Sequence, residues 1–249
     1  MPLIAGRLRP LLGLTVFAGL GMLVLLGLGT WQLERRAWKE SLIAARVAGL
    51  NAPAIALPDR IPDPAALEYR RVWVEGRFRH DHELDLIGRF YRDQPGYQIV
   101  TPLILADGSA VLVNRGFVPL AAKDPTARPA GQIVGPVRLE GAVRLSAVPG
   151  WLTPDNQPGN NVWFYPNVAQ MAAAAGLAAD VRPVFIEAGP APNPGGLPIG
   201  GQTEVNLPND HLQYAITWYS LAVALAVIYG IFCHRHLSGD RPSWMPTKS

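Results

Sequence analysis

The sequence predicts a membrane α+β protein: two transmembrane helices at the chain ends flanking an antiparallel β-rich extracytoplasmic domain with one short helix. Three observations predict it. Residues 11–33 and 211–233 are long apolar stretches, and roughly 20 apolar helical residues suffice to cross a hydrocarbon core of about 30 Å. Between them lie short alternating runs punctuated by most of the chain's 24 prolines and 25 glycines, which fits a loop-rich β domain and argues against a coiled-coil stalk. Charge is also segregated. Residues 31–210 hold 17 Lys and Arg against 18 Asp and Glu, while Arg7, Arg9, Arg235, Arg241 and Lys248 in the tails face only Asp240.

The first span reads as a retained anchor. Its apolar run is longer than a usual signal-peptide core, and Trp31-Gln32-Leu33-Glu34-Arg35-Arg36 offers no small-residue cleavage site. The second span sets the orientation, because positive flanks mark the cytoplasmic side and Arg235, Arg241 and Lys248 follow it. Arg35, Arg36 and Lys39 make the first span ambiguous by the same rule, but with two spans the ends share a side. The expected division is a cytoplasmic tail (1–10), transmembrane helix 1 (11–33), a periplasmic β-rich domain (34–210), transmembrane helix 2 (211–233) and a cytoplasmic tail (234–249). The expected setting is a bacterial inner membrane, crossed more than once, with both termini cytoplasmic.

Residues 33–49 lack any Gly or Pro before Gly49 and extend the first helix. A Pro-rich connector covers 53–64. Strands are predicted at 71–78, 83–88, 97–105, 110–117, 137–145, 162–165 and 181–187. Asp107-Gly108 between two apolar runs is a hairpin signal. One helix is predicted over 167–177, with Pro166 at its start and Gly176 near its end. The prolines of 189–210 suggest an extended return to the membrane.

Composition excludes several function classes. The basic balance comes from the tails, so no nucleic-acid surface is indicated. The only cysteine, Cys233, lies at the inner end of the second span, which leaves the central domain without disulfide or thiol chemistry. No P-loop, dinucleotide fingerprint, nucleophile elbow or His-Glu-x-x-His occurs, so the chain is not expected to be an enzyme. His80 and His82 would share one face of a strand and are weak metal candidates without a third ligand; the alternative is a polar hairpin tip.

His211 opens the second span behind Asn209-Asp210, either of which can cap the helix. Tyr214 and Trp218 follow three and seven positions later on the same helical face, and Trp31 marks the outer end of the first span. An imidazole within aromatic residues at the outer lipid boundary suits a haem. An interfacial aromatic belt that happens to include a histidine is the other reading. Gly13, Gly19, Gly21, Gly27 and Gly29, with Ala215, Ala222 and Ala226, permit close helix approach, within the chain or to a partner.

Four separated blocks together resemble the Surfeit-locus 1 family. They are Gly29-Thr30-Trp31-Gln32-Leu33-Glu34-Arg35-Arg36, Tyr69-Arg70-Arg71-Val72 with Gly76-Arg77-Phe78, Gly96 to Leu103 with Val111-Leu112-Val113-Asn114-Arg115-Gly116-Phe117, and Asn209-Asp210-His211-Leu212-Gln213-Tyr214. The family's usual Arg-Gly-Trp is Arg115-Gly116-Phe117 here. The resemblance implies an assembly factor for haem–copper terminal oxidases, chiefly cytochrome c oxidase. It implies transient binding of haem a, with His211 as the iron ligand and Trp31, Gln32, Tyr214 and Trp218 around it. The partners so implied are haem a synthase, the oxidase catalytic subunit and membrane lipid. Asn114-Arg115-Gly116 is the candidate docking segment, with burial of Arg115 in its own domain as the alternative. A haem-free scaffold that holds the oxidase catalytic subunit is the rival function.

Overall fold

The computed structural model describes residues 2–177, 180–205 and 207–238. The expected tail beyond residue 238 lies outside the described residues. The chain divides into two units, Met1–Ile43 with Asn206–Ser249, and Ala44–Val205.

The first unit is a helix pair. Helix α1 (Pro2–Asn51) begins well before residue 11 and runs on past residue 33, because nothing in the sequence breaks it there; the part up to Ile43 belongs to this unit. The partner helix is α3, His211–Ser238. Both helices are long and apolar enough to cross a membrane, and only 11% and 6% of their most apolar stretches are buried. That exposure separates them from the core helices of a soluble fold and marks a membrane protein.

The pairing follows a seam with spacings of three and four residues. On α1 the buried positions are Leu11, Ala18, Gly29 and Gln32, with Met22, Leu25, Arg36 and Lys39 half-buried between and beyond them. On α3 they are Ala215 and Ala222, with His211, Trp218, Leu225, Tyr229, Cys233 and His236 half-buried. This is the 3.5-residue period of two helices packed along their length. The helices are antiparallel: Thr15 Oγ1 meets Tyr229 Oη at 2.5 Å, and Thr30 Oγ1 meets Tyr219 Oη at 3.1 Å. Lys39 Nζ donates to the Pro208 carbonyl. At Gly29 the Tyr219 ring packs directly on the α1 backbone, since a Cβ there would lie 2.8 Å from it. Of the small residues flagged by sequence, Gly29, Ala215 and Ala222 serve this contact, and Gly21 touches Leu225. Gly13, Gly19 and Gly27 face open space.

The second unit is a β domain. Its strands are β1 (Ile55–Ala56), β2 (Arg71–Phe78), β3 (Leu84–Tyr91), β4 (Gln94–Leu105), β5 (Ala110–Pro119), β6 (Pro136–Arg144), β7 (Val162–Trp163) and β8 (Val181–Ala188). The order is β1-β2-β6-β8-β5-β4-β3-β7, and a further β2–β4 pairing closes a five-stranded barrel. Closure is possible because one edge of the long β4 serves two partners. Its residues 94–100 take β3, and its residues 103–105 take β2 in the register Gly76↔Leu105 and Phe78↔Leu103. The barrel pairings are antiparallel except β5 with β8, and the short β1 and β7 add parallel to β2 and β3.

Alternation along the strands divides the core in two. Val72, Val74, Leu103, Val111, Val113, Val143, Val184 and Ile186 come from all five barrel strands and fill the interior. The intervening Leu112 and Phe185 point outward into a second cluster with Leu84, Leu86, Val100, Trp163, Val168 and Met171. Strands β5 and β8 are therefore buried on both faces, which is why their sequences are nearly continuous apolar runs. Helix α2 (Val168–Ala174) covers the outer cluster. The Asn167 side chain caps it by accepting from Gln170 N at 3.0 Å. The β4–β5 hairpin turns on Asp107-Gly108: Gly108 has φ +83°, and the Asp107 carboxylate accepts from Ser109 N and Oγ.

Candidate functional site

The helix pair brings His211 and Gln32 together across 179 residues of sequence. Both lie on the seam at the end where α3 begins. His211 Nδ1 stands 2.6 Å from Gln32 Oε1. An amide oxygen only accepts, so in this contact Nδ1 is the donor and Nε2 is the ring nitrogen that Gln32 does not engage. A histidine that binds a metal ordinarily donates its other ring N–H to a fixed acceptor in this way, which sets both tautomer and ring orientation. Gln32 is itself held, at 9% exposed.

The three aromatic candidates divide. Trp218 lies on the seam, half-buried, two turns along α3 from His211. Trp31 and Tyr214 stand off the seam and are 52% and 56% exposed. The arrangement is thus a seam histidine with one half-buried and two exposed aromatic residues on the two helices. A held imidazole with aromatic residues on its own helix and next to Gln32 is a residue set that suits a haem.

The β domain gives a different picture of the other candidates. Asn114, Arg115 and Gly116 are buried, so the expectation of a docking surface there is corrected. Asn114 Nδ2 donates to Gln98, and its carboxamide oxygen accepts from Gly116 N. Arg115 is 1% exposed and lies at one end of the barrel interior over the Phe78 ring. Its Nη2 donates to Gly131 O at 2.5 Å, and Nη1 stands 3.4 Å from Glu83 Oε1. These groups hold loops to the barrel, which is the alternative the sequence left open.

Glu83 is the hub of that interior cluster. It also takes Arg128 at 2.5 and 3.3 Å and Gln132 at 3.2 Å. Burial alone would raise its carboxyl, but hydrogen bonds from His80 and Arg128 and the Arg128 charge hold it down to about 2. Arg115 shifts down to about 10, through burial first and the neighbouring Arg128 charge, against the attraction of Glu83; it remains a cation at neutral pH. A carboxyl lowered on folding stabilises the fold above its unfolded value and loses that stabilisation as pH falls. Between the ordinary 4.5 and about 2 the β domain is therefore expected to lose about 3 kcal/mol. Urea unfolding across that window checks this, and Glu83→Gln is expected to flatten the profile.

His80 and His82 do not share a strand face. They occupy a turn of 3₁₀ helix, His80–His82, between β2 and β3. His80 Nε2 donates to Ile133 O at 3.1 Å, and its Nδ1 lies 3.3 Å from Glu83 and 3.4 Å from Arg115. His82 stands 3.1 Å from Asp81. Among the described residues no group of three or more His, Cys, Asp or Glu is placed to hold a metal ion.

Residues 20–223 match the model of the SURF1 family. A SURF1-like protein of Monosiga brevicollis is 43% identical over 225 residues, covering 85% of this chain and 84% of that protein. Surfeit locus protein 1 of Homo sapiens is 40% identical over 219 residues, covering 82% and 72%. A SURF1-like protein of Drosophila melanogaster is 42% identical over 221 residues, again covering 82% and 72%. The family match includes both His211 and the first span from residue 20 onward.

Proposed function

We propose, because this chain belongs to the SURF1 family, that it carries haem a during assembly of cytochrome c oxidase. Membership of the family implies the wider role, in oxidase assembly, and the family is one of assembly factors and not a known enzyme family. The haem reading is carried by one observation. His211 donates through Nδ1 to the Oε1 of Gln32 at 2.6 Å, which leaves Nε2 ready for iron.

In this reading His211 ligates the iron. Trp31, Tyr214 and Trp218 give the macrocycle its aromatic surroundings, and bilayer lipid takes its apolar tail. Iron bound to imidazole supplies a ligand bond that can be exchanged for one on the receiving protein. Gln32 fixes the ring and tunes its basicity, so it acts through His211 and not on the haem. Haem a synthase is the donor and the oxidase catalytic subunit the recipient.

The membrane setting proposed is a bacterial inner membrane with both termini cytoplasmic and the β domain periplasmic, because Arg235 follows the second span and positive flanks mark the cytoplasmic side. An alkaline phosphatase fused to the C-terminus is then inactive, whereas one inserted in the loop at 150 is active. The opposite pattern overturns the orientation.

The test of function is co-expression with a haem a synthesis pathway and purification in mild detergent. Wild type is expected to carry a reduced haem a band, and His211→Ala to lose at least tenfold of it. Gln32→Leu keeps the ligand but frees the ring, and is expected to weaken haem retention by about 10- to 100-fold. A colourless wild type from membranes rich in haem a would leave the scaffold reading in its place.

A further inference from the structure

The open end of the barrel holds a cleft of about 860 Å³, within the roughly 300–1,000 Å³ typical of small-ligand sites. It exists because β6 outruns β8. Residues 141–144 of β6 pair with β8, whereas 136–140 pair only with β2. Gly189 N still donates to Glu140 O, but Pro190, Pro192 and Pro194 then lead the chain away, since proline has no N–H to continue a ladder. The gap so left is walled by Phe78, Val113, Val137, Leu139, Ala188 and Pro190.

Charge in this cleft is unbalanced. Its charged lining is Arg71, Arg115, Arg138 and Glu140. Arg71 is matched by Glu140 at 2.6 Å, and Arg138 by Glu75 at 3.1 Å, both at the exposed rim. Arg115 has no carboxylate of its own. It shares Glu83 with Arg128, and Arg128 has the closer grip, at 2.5 Å against 3.4 Å. Arg115 and Arg128 are 1% and 4% exposed and meet on one carboxylate, Glu83, and Arg115 stands at the apolar end of the cleft. Its Nε has no hydrogen-bond partner.

We propose that this cleft binds a small amphiphilic anion, an apolar body with one carboxylate head that Arg115 receives. Nη1 and Nη2 of Arg115 are held by Glu83, Gly131 O and Asn193 Oδ1, so its unpartnered Nε–H is the donor left for the carboxylate, a charge-assisted hydrogen bond. The ligand's apolar body takes the place of water against Val137, Leu139 and the proline wall. This site is separate from His211, and failure of either assignment leaves the other standing.

The test uses the full chain in lipid nanodiscs and calorimetric titration with 4-phenylbutyrate, a carboxylate that stays in water. Its uncharged amide, 4-phenylbutyramide, is the comparison. The acid is expected to bind wild type at least tenfold more tightly than the amide. Leu139→Trp fills the cleft without touching the ion cluster, and is expected to abolish binding of both. Arg115→Met leaves Arg128 and Glu83 as a one-to-one pair, and is expected to bind acid and amide alike. Equal binding of acid and amide by wild type overturns the proposal. So does undiminished binding by Leu139→Trp, or the absence of any binding by wild type.

Discussion

Glu83→Gln is expected to destabilise the β domain by about 3–5 kcal/mol, the usual consequence of removing one partner from a buried ion pair. The side chain is nearly isosteric, so no cavity contributes. What changes is charge. Arg115 and Arg128 converge on this one carboxylate from chain positions 32 and 45 residues away, and both are almost wholly buried. With Gln in place, the two buried guanidinium ions lose the carboxylate they share. The neutral amide also cannot accept the whole set of donors from Arg115, Arg128 and Gln132. Chemical denaturation of the full chain in detergent, followed by tryptophan fluorescence, measures the loss. A destabilisation below 1 kcal/mol would show that the cluster is not a structural hub.

Gly116→Ala is expected to be of similar severity, at about 3 kcal/mol or more. Gly116 has φ +114°, where an L side chain is strained, and an added Cβ would lie 1.9 Å from Ile199 O and 2.3 Å from its carbonyl carbon. Those atoms are backbone and cannot turn aside. The segment must separate, which breaks the reciprocal Phe117–Ile199 bonds of 2.9 and 2.8 Å. The return chain then loses its hold on the barrel where the cleft is formed. Reduced thermal stability with faster amide exchange at 117 and 199 is the expected signature; unchanged exchange at those amides would contradict it.

These two residues show what could be read in the sequence and what could not. The strands were legible because their order is local: alternation from Arg71 to Phe78 and the Asp107-Gly108 turn each lie within a few residues. Helix α2 was legible through Pro166 and Gly176, although its cap is Asn167. The strand pattern leaves an open antiparallel sheet and a small barrel both possible, and the pairing Gly76↔Leu105 that closes the barrel joins strands that hydrophobic pattern alone leaves free. Gly116 was visible as part of a motif, but its reason is a backbone 83 positions further along the chain. For Arg115 the sequence leaves docking and burial in its own domain both open, and the structure shows burial. Its burial is possible only through Glu83, and no periodicity links the two. His211 was singled out by its place at a helix start. Gln32 entered only through family resemblance, since no pattern in the sequence announces a hydrogen bond between the two spans.

Ligand rescue tests His211 as the iron ligand most directly. His211→Gly removes the imidazole and leaves space for a free one. Purified from membranes supplied with haem a, this variant is expected to lack the reduced haem a band, and to recover it when haem a and imidazole are added together. Recovery of the band by imidazole would establish the lost group as the ligand and not as a packing residue. A band of wild-type intensity and position in His211→Gly without imidazole would contradict the account.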